Sequence, residues 1–130
     1  MKILEKYVSL MGRILISLIF LIAGMNKIMA YAGTQAYMQA MGVPGFLLPL
    51  VIALEIIGAL AIIVGYKTKL TAFLLAGFTI LSALLFHLNF ADQTQSALFM
   101  KNIAIAGGFL FLVVNGAGQL SLDNKFTKES

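Results

Sequence analysis

Residues 46–66 read FLLPLVIALEIIGALAIIVGY, and residues 70–91 read LTAFLLAGFTILSALLFHLNFA. A hydrocarbon layer of about 30 Å needs roughly 20 mostly apolar residues to be crossed as a helix. Both stretches meet that length. Neither alternates apolar and polar residues with period two, so barrel strands are excluded. Only the segment Gly65 to Lys69 joins them, which makes them a tight antiparallel hairpin. Working outward, residues 7–30 form a further span, interrupted by Arg13 and Lys27. Residues 97–115 form another, with Lys101 in the first turn. The chain therefore reads as a single all-α domain over residues 1–130, an integral membrane four-helix bundle.

Composition supports this reading. Charged residues make up 11% of the 130 residues and hydrophobic ones 61%. A soluble domain carries about 25% charged residues. So few charges cannot cover a small globule in water, whereas lipid suits the same apolar surface. Mean hydropathy of +0.99 agrees. With no Cys, this chain forms no disulfide, thiol relay or thiolate-bound cluster. A single His rules out a metal site with two imidazoles in one subunit, and no metal is expected. The net charge of +4 comes without any Lys/Arg cluster, so nucleic acid is not the expected partner. The bilayer is.

Gly42, Pro44, Gly45 and Pro49 punctuate the entry to the second span. Asp92 to Ser96 separates the third and fourth. Gly116 and Gly118 close the fourth, and a charged tail follows from Asp123. Residues 34–41 fit a short helix with Gly42 as its stop, lying at the interface as a cap over the bundle mouth. Lys2, Lys6, Arg13, Lys67, Lys69, Lys125 and Lys128 share one side of the bundle, against Lys27 and Lys101 on the other. The positive-inside rule then places both termini in the cytoplasm of a bacterial-type inner membrane. Ala30-Tyr31-Ala32 resembles a signal cleavage site. Arg13 breaks the apolar run before it, which argues against cleavage.

Ionisable groups within a span cost several kcal/mol unless paired or hydrated. Steps of three and four residues put Arg13, Ser17, Phe20, Gly24 and Lys27 on one stripe. Glu55, Gly58, Ile62 and Gly65 share a second. Ala72, Ala76, Thr79, Ala83 and His87 share a third. Lys101, Ala104, Gly108, Phe111 and Asn115 share the last. Polar groups sit among small residues on each stripe, and small residues mark close helix contact. All four stripes are expected to face inward. Gly24, Gly58 and Gly108 are then contact residues, and Arg13 is structural or lipid-facing at its tip.

Helix rise puts Lys27, His87 and Lys101 in one outer layer, with Glu55 deeper and Asn26 and Asn102 nearby. Cations outnumber the one carboxylate. Such a pocket favours an anionic or electron-rich head group, and a quinone carbonyl fits. Lys27, Glu55, His87, Lys101 and Asn102 are the expected ligand-binding set, with Glu55 and His87 as candidate proton relay. Phe20, Phe78, Phe86, Phe90 and Phe111 are candidates to wall an apolar ring. The bland reading stands beside this one. The lysines snorkel to the interface, Glu55 is a fixed structural pair, and His87 is a satisfied core residue.

The ordered set of motifs is similar to the DoxX family, above all its small inner-membrane members. It comprises Arg13, Gly24-x-x-Lys27, Tyr31-Ala-Gly-Thr, Gly42-Val-Pro44-Gly, Glu55-x-x-Gly58, Gly65, His87-x-Asn-Phe90, Lys101-Asn102, Gly107-Gly108 and Gly116-x-Gly118-x-x-Ser121-Leu-Asp123. The resemblance covers almost the whole chain. It implies a four-helix bundle linked to quinone- or thiol-coupled redox chemistry, often beside a soluble oxidoreductase partner. The absence of Cys departs from the thiol-active members. Three functions follow as expectations. The first is a quinone-interacting membrane subunit of a redox or electrophile-stress system. The second is a non-catalytic membrane anchor or assembly factor for a partner oxidoreductase. The third is a small-solute or proton carrier, working as a homo-oligomer.

Overall fold

The computed structural model describes residues 2–129, with the side chains of Lys2 and residues 126–129 outside the description. Two of the basic residues weighed for orientation, Lys2 and Lys128, therefore have side chains outside the described ones. Among the described residues the regular structure is all helix. α1 spans Lys2–Met29, α2 Tyr31–Ala40, α3 Leu48–Val64, α4 Thr68–Phe86, α5 Gln93–Asn115 and α6 Leu122–Glu129. A 3-10 turn, Gly45–Leu47, leads into α3. Among the described residues, four helices are long and apolar enough to cross a membrane. α2 is the short helix expected between the first two spans.

Local chemistry sets the helix ends. Pro49 sits in the first turn of α3, where its missing N–H costs no bond. α3 ends at Gly65, whose φ of 74° is left-handed and suits glycine. Tyr66 N–H then donates back to the Ala61 carbonyl at 2.8 Å, closing the helix. Asp92 begins α5 by accepting from Thr94 N–H at 2.9 Å. That cap needs extended backbone at residue 92. α4 accordingly stops at Phe86 rather than running to residue 91, and residues 87–91 make the reversal. The polar run Gln93 to Ser96, expected as a linker, forms the first turn of α5 instead.

α1 packs along α3, and α4 along α5. The two pairs meet at a core of Phe20, Ala59, Ile62, Ala72, Leu75, Ala76, Ala106 and Phe109. Alanines let the helices approach closely there. The rings of Phe20 and Phe109 lie 5.5 Å apart and tilted, joining the first pair to the second.

Three of the four expected stripes face inward. The fourth does not. Lys101, Ala104, Phe111 and Asn115 are exposed, and Gly108 sits half-buried at the edge, against Ile16. The inward face of α5 carries Asn102, Ile105, Ala106, Phe109 and Val113 instead. One residue is a rotation of about 100° on a helix. α5 begins at Gln93, so Lys101 falls in its third turn rather than its first, and its long side chain carries the ammonium outward; Asn115 is the last residue of the helix. Lipid also accepts an outward Phe111, so apolarity does not mark the inner face.

Both chain ends meet the Gly65–Lys67 turn at one end of the bundle. Arg13 is 1% exposed and does not face lipid. Its Nη1 donates to the Ile62 and Ile63 carbonyls at 3.0 and 2.8 Å, and its Nη2 to the Leu120 carbonyl. Both carbonyls lie in the last turn of α3, where helical partners run out: Ile62 also accepts from Gly65 N–H at 3.2 Å, and Arg13 supplies the further donors. Ser9 Oγ donates to the Ala117 carbonyl at 3.1 Å. The charged tail folds as α6, and Asp123 clasps the turn. Its carboxylate accepts from Lys67 N–H at 2.6 Å and Thr68 N–H at 2.8 Å, capping α4. Its own N–H donates to the Gly65 carbonyl at 2.8 Å.

Partial burial pushes the Asp123 carboxyl up. Hydrogen bonds from Thr68 and Lys67, with the Arg13 charge, outweigh that and hold it below its ordinary value. A lowered carboxyl contributes stability at neutral pH and loses it as pH falls through the folded-state value. Asp123→Ala is expected to cost about 1 kcal/mol, the usual cost of a lost cap. The gap between variant and wild type should close in strong acid. Thermal melting in mild detergent at neutral and acid pH checks both statements.

Candidate functional site

At the opposite end, α1, α3, α4 and α5 diverge around a cavity of about 400 Å³. Ligand pockets generally fall between about 300 and 1,000 Å³. Ile19, Phe20, Ala23, Leu47, Leu50, Val51, Phe78, Leu81, Leu85 and Ile105 make most of its wall. Phe20 and Thr79 form the floor, and the core begins beneath them. α2 forms the roof. Its Met38 is buried, its Tyr37 stacks on Phe86 at 5.5 Å, and Gln35 Nε2 donates to the Gly45 carbonyl at 3.2 Å.

Five residues expected to bind a ligand, Lys27, Glu55, His87, Lys101 and Asn102, all line this one cavity. Glu55 is 3% exposed. Lys27 Nζ lies 2.9 Å from its Oε1 and 3.1 Å from its Oε2, so one ammonium faces both oxygens. Gly24 makes this pairing geometrically available. A Cβ there would lie 2.5 Å from Ile56 Cγ1, so only glycine lets α1 come this close to α3. Gly58 is less tightly constrained: a Cβ there would lie 3.2 Å from the Leu75 side chain, close contact that a small shift of that side chain relieves.

His87 lies just beyond α4 rather than on it. Its Nδ1 is 2.7 Å from Gln95 Oε1. With that oxygen accepting, Nδ1 carries the proton and Nε2 is left as the acceptor of a neutral ring. Asn102 Nδ2 donates to the Thr79 carbonyl at 3.4 Å, and Thr79 Oγ1 donates to the Leu75 carbonyl at 2.6 Å. Lys101 stands exposed at the rim, without a hydrogen bond or ion pair among the described residues.

Some expected neighbours lie elsewhere. Asn26 is exposed and away from the cavity. Phe90 meets Phe99 edge-on at 5.0 Å, and Phe111 faces outward, so neither walls the site. Arg13 belongs to the far end. The roof residues Thr34, Tyr37 and Met38, the floor residue Thr79 and the His87 partner Gln95 were not among the expected ligand residues. Thr34 and Tyr37 share a helix face at a spacing of three, a signal that gains meaning only once α2 is known to cover the cavity. No spacing rule links Gln95 to His87, because a turn separates them.

The fold and site define a class: a small four-span membrane protein with a largely apolar chamber, carrying a few polar groups, in one half of the bundle. The chain belongs to the DoxX family, whose model matches residues 8–88. It is 54% identical to inner membrane protein YqjF of Escherichia coli over 129 residues, covering 99% of each chain. It is 37% identical to inner membrane protein YphA of the same organism over 124 residues, 89% of this chain and 88% of that one. A shorter match, 28% over 68 residues, links it to the putative oxidoreductase CatD of Bacillus subtilis, covering 52% and 51% of the two chains. No solved structure matches. The apolar helices and these relatives make it a multi-pass protein of the bacterial inner membrane.

Losing one partner of a buried pair costs about 3–5 kcal/mol. The Lys27 side chain is 30% exposed, so solvent reduces that cost. Lys27→Met is expected to destabilise by about 1–3 kcal/mol. The double variant Lys27→Met/Glu55→Gln should recover most of the loss, because no bare carboxylate remains. Melting curves of the single and double variants check this. Equal losses in both would show that packing, not charge pairing, holds the site.

Proposed function

We propose that this protein binds the head of a membrane quinone in the chamber and serves as the membrane subunit of a redox system. One observation carries the reading. The one acid on the inward faces sits with its cation in the wall of an apolar cavity, not inside packed core. A buried ion pair adds little net stability, so structure alone is a weak reason to keep one there. A pair that lines a ligand-sized space is better explained by what enters it.

The residues fit a quinone head. Phe20, Phe78 and Phe86 offer flat apolar surface. Lys27, Lys101 and Asn102 offer N–H donors suited to carbonyl oxygens. Glu55 and His87 can each hold a proton beside the head. A bound quinone supplies two-electron redox chemistry. The chain carries no Cys, so its electrons come from a partner rather than from thiols of its own. The redox assignment draws support from the oxidoreductase name of the Bacillus relative. The packed floor, with Phe20, Ile62, Leu75 and Phe109 beneath the chamber, speaks against a through-going carrier.

The expected test is chemical. Wild-type protein purified in mild detergent should yield nearly stoichiometric quinone in its organic extract, and Glu55→Gln should yield much less while remaining folded. Background quinone in both overturns the reading, and a non-catalytic anchor that captures a partner oxidoreductase takes its place. The same proposal sets both termini in the cytoplasm, with the chamber toward the outer face, from the lysine bias. Because the chain lacks Cys, single cysteines report side cleanly. Lys125→Cys should react with a membrane-impermeant maleimide only after cell lysis, and Thr34→Cys before it. The reverse pattern would invert the topology.

A further inference from the structure

We infer that the chamber is filled sideways from the bilayer: a lipophilic molecule enters between α3 and α4, its carbonyl-bearing head toward Lys27 and Asn102 and its apolar tail left between the two helices. The inference rests on the head-group reading above and adds the route and the ligand's shape.

α3 and α4 leave their turn in contact. A Cβ on Gly58 would lie 3.2 Å from the Leu75 side chain, so the two helices touch at that level. Toward α2 they part. Leu50 on α3 and Leu81 and Leu85 on α4 all line the chamber. They are also 65%, 54% and 42% exposed. A side chain that lines a cavity and also faces outward marks an opening. Of the other boundaries, two seams, the top and the bottom are closed, while the α1–α5 edge is packed more sparsely than the α3–α4 edge. α1 lies packed along α3 and α4 along α5, α2 covers the top, and Phe20 covers the bottom. Ile19 also reaches outward between α1 and α5, but that edge carries Lys101 and Asn102.

At the α3–α4 edge the chamber is bordered by leucines, whereas Lys27, Lys101 and Asn102 stand on α1 and α5. In a bilayer the leucine edge opens into acyl chains, not water. An amphiphile matches this polarity with its head inward and its tail out.

The test compares two probes in lipid nanodiscs: a decyl-tailed benzoquinone and its tail-less parent. Leu81→Trp and Leu85→Trp narrow the slit, and Leu110→Trp, exposed on α5 away from the chamber, is the control. Each slit variant should weaken the tailed probe about tenfold more than the tail-less one. The control should change neither. Slit variants that leave both probes unchanged, or weaken both equally, overturn lateral entry while the head-group reading stands. Failure of both probes to bind wild type overturns the head-group reading and the route together. Should either variant fail to fold, the chain's lack of native Trp gives a second readout. Leu50→Trp is then the sole indole. A probe brominated at its tail end should quench it beyond the unbrominated probe, with no such excess at Leu110→Trp. Equal excess at both positions overturns the route.

Discussion

Arg13 is the interaction on which the bundle depends. A helix inside a bilayer has no water to satisfy a charged side chain or its own last carbonyls. Arg13 meets both needs at once. It donates to the Ile62 and Ile63 carbonyls at the end of α3 and to the Leu120 carbonyl of the returning tail. One guanidinium thus ties α1, α3 and the segment after α5. Asp123 completes the junction by capping α4 across the same turn. Lys67, the one non-glycine residue with positive φ among those described, is held in this clasp.

With that end locked, the other end is free to open. The helices leave the junction as two pairs, joined by an alanine-rich core and the Phe20–Phe109 contact. Above the core they separate, and α2 lies over the gap. The second charged constraint, Lys27 with Glu55, sits in the wall of that gap rather than in the packed region. The two ionic features of α1 therefore do different work. Arg13 satisfies backbone in a closed junction, whereas Lys27 neutralises an acid at the edge of a chamber. The proposed quinone site builds on the second arrangement, and the proposed lateral route on the leucine edge between α3 and α4.

The spans were legible because a bilayer demands long apolar helices, and this chain has few charges with which to disguise them. Three inward stripes were legible as well, since Arg13, Glu55 and Thr79 each lie among small residues that allow close approach. α5 was misread by one residue for a physical reason. Lys101 has the charge of an inward polar marker, yet its long stem carries the ammonium outward from the third turn of α5, and Asn102 takes the inward place. The end of α4 was hidden too. Hydropathy carries through residues 87–91, and only the Asp92 cap reveals where the helix must stop. The tail helix and its clasp were invisible, because Asp123 acts across 55 residues of sequence on Thr68. The gathering of Lys27, Glu55, His87, Lys101 and Asn102 into one space was legible from helix depth alone. The roof and the His87–Gln95 pairing depend on how a short helix and a loop fold back, which periodicity does not encode.

The central claim is that the chamber holds a quinone head. Photolabelling tests it most directly. An azidoquinone would be activated on protein in native membranes, and the labelled peptides mapped by mass spectrometry. The account predicts label on the chamber faces of α1 and α4, around Ala23 and Lys27 and around Phe78 to Phe86, displaced by excess unmodified quinone. Label scattered over outward residues such as Leu110 and Val114, and not displaced, would contradict it.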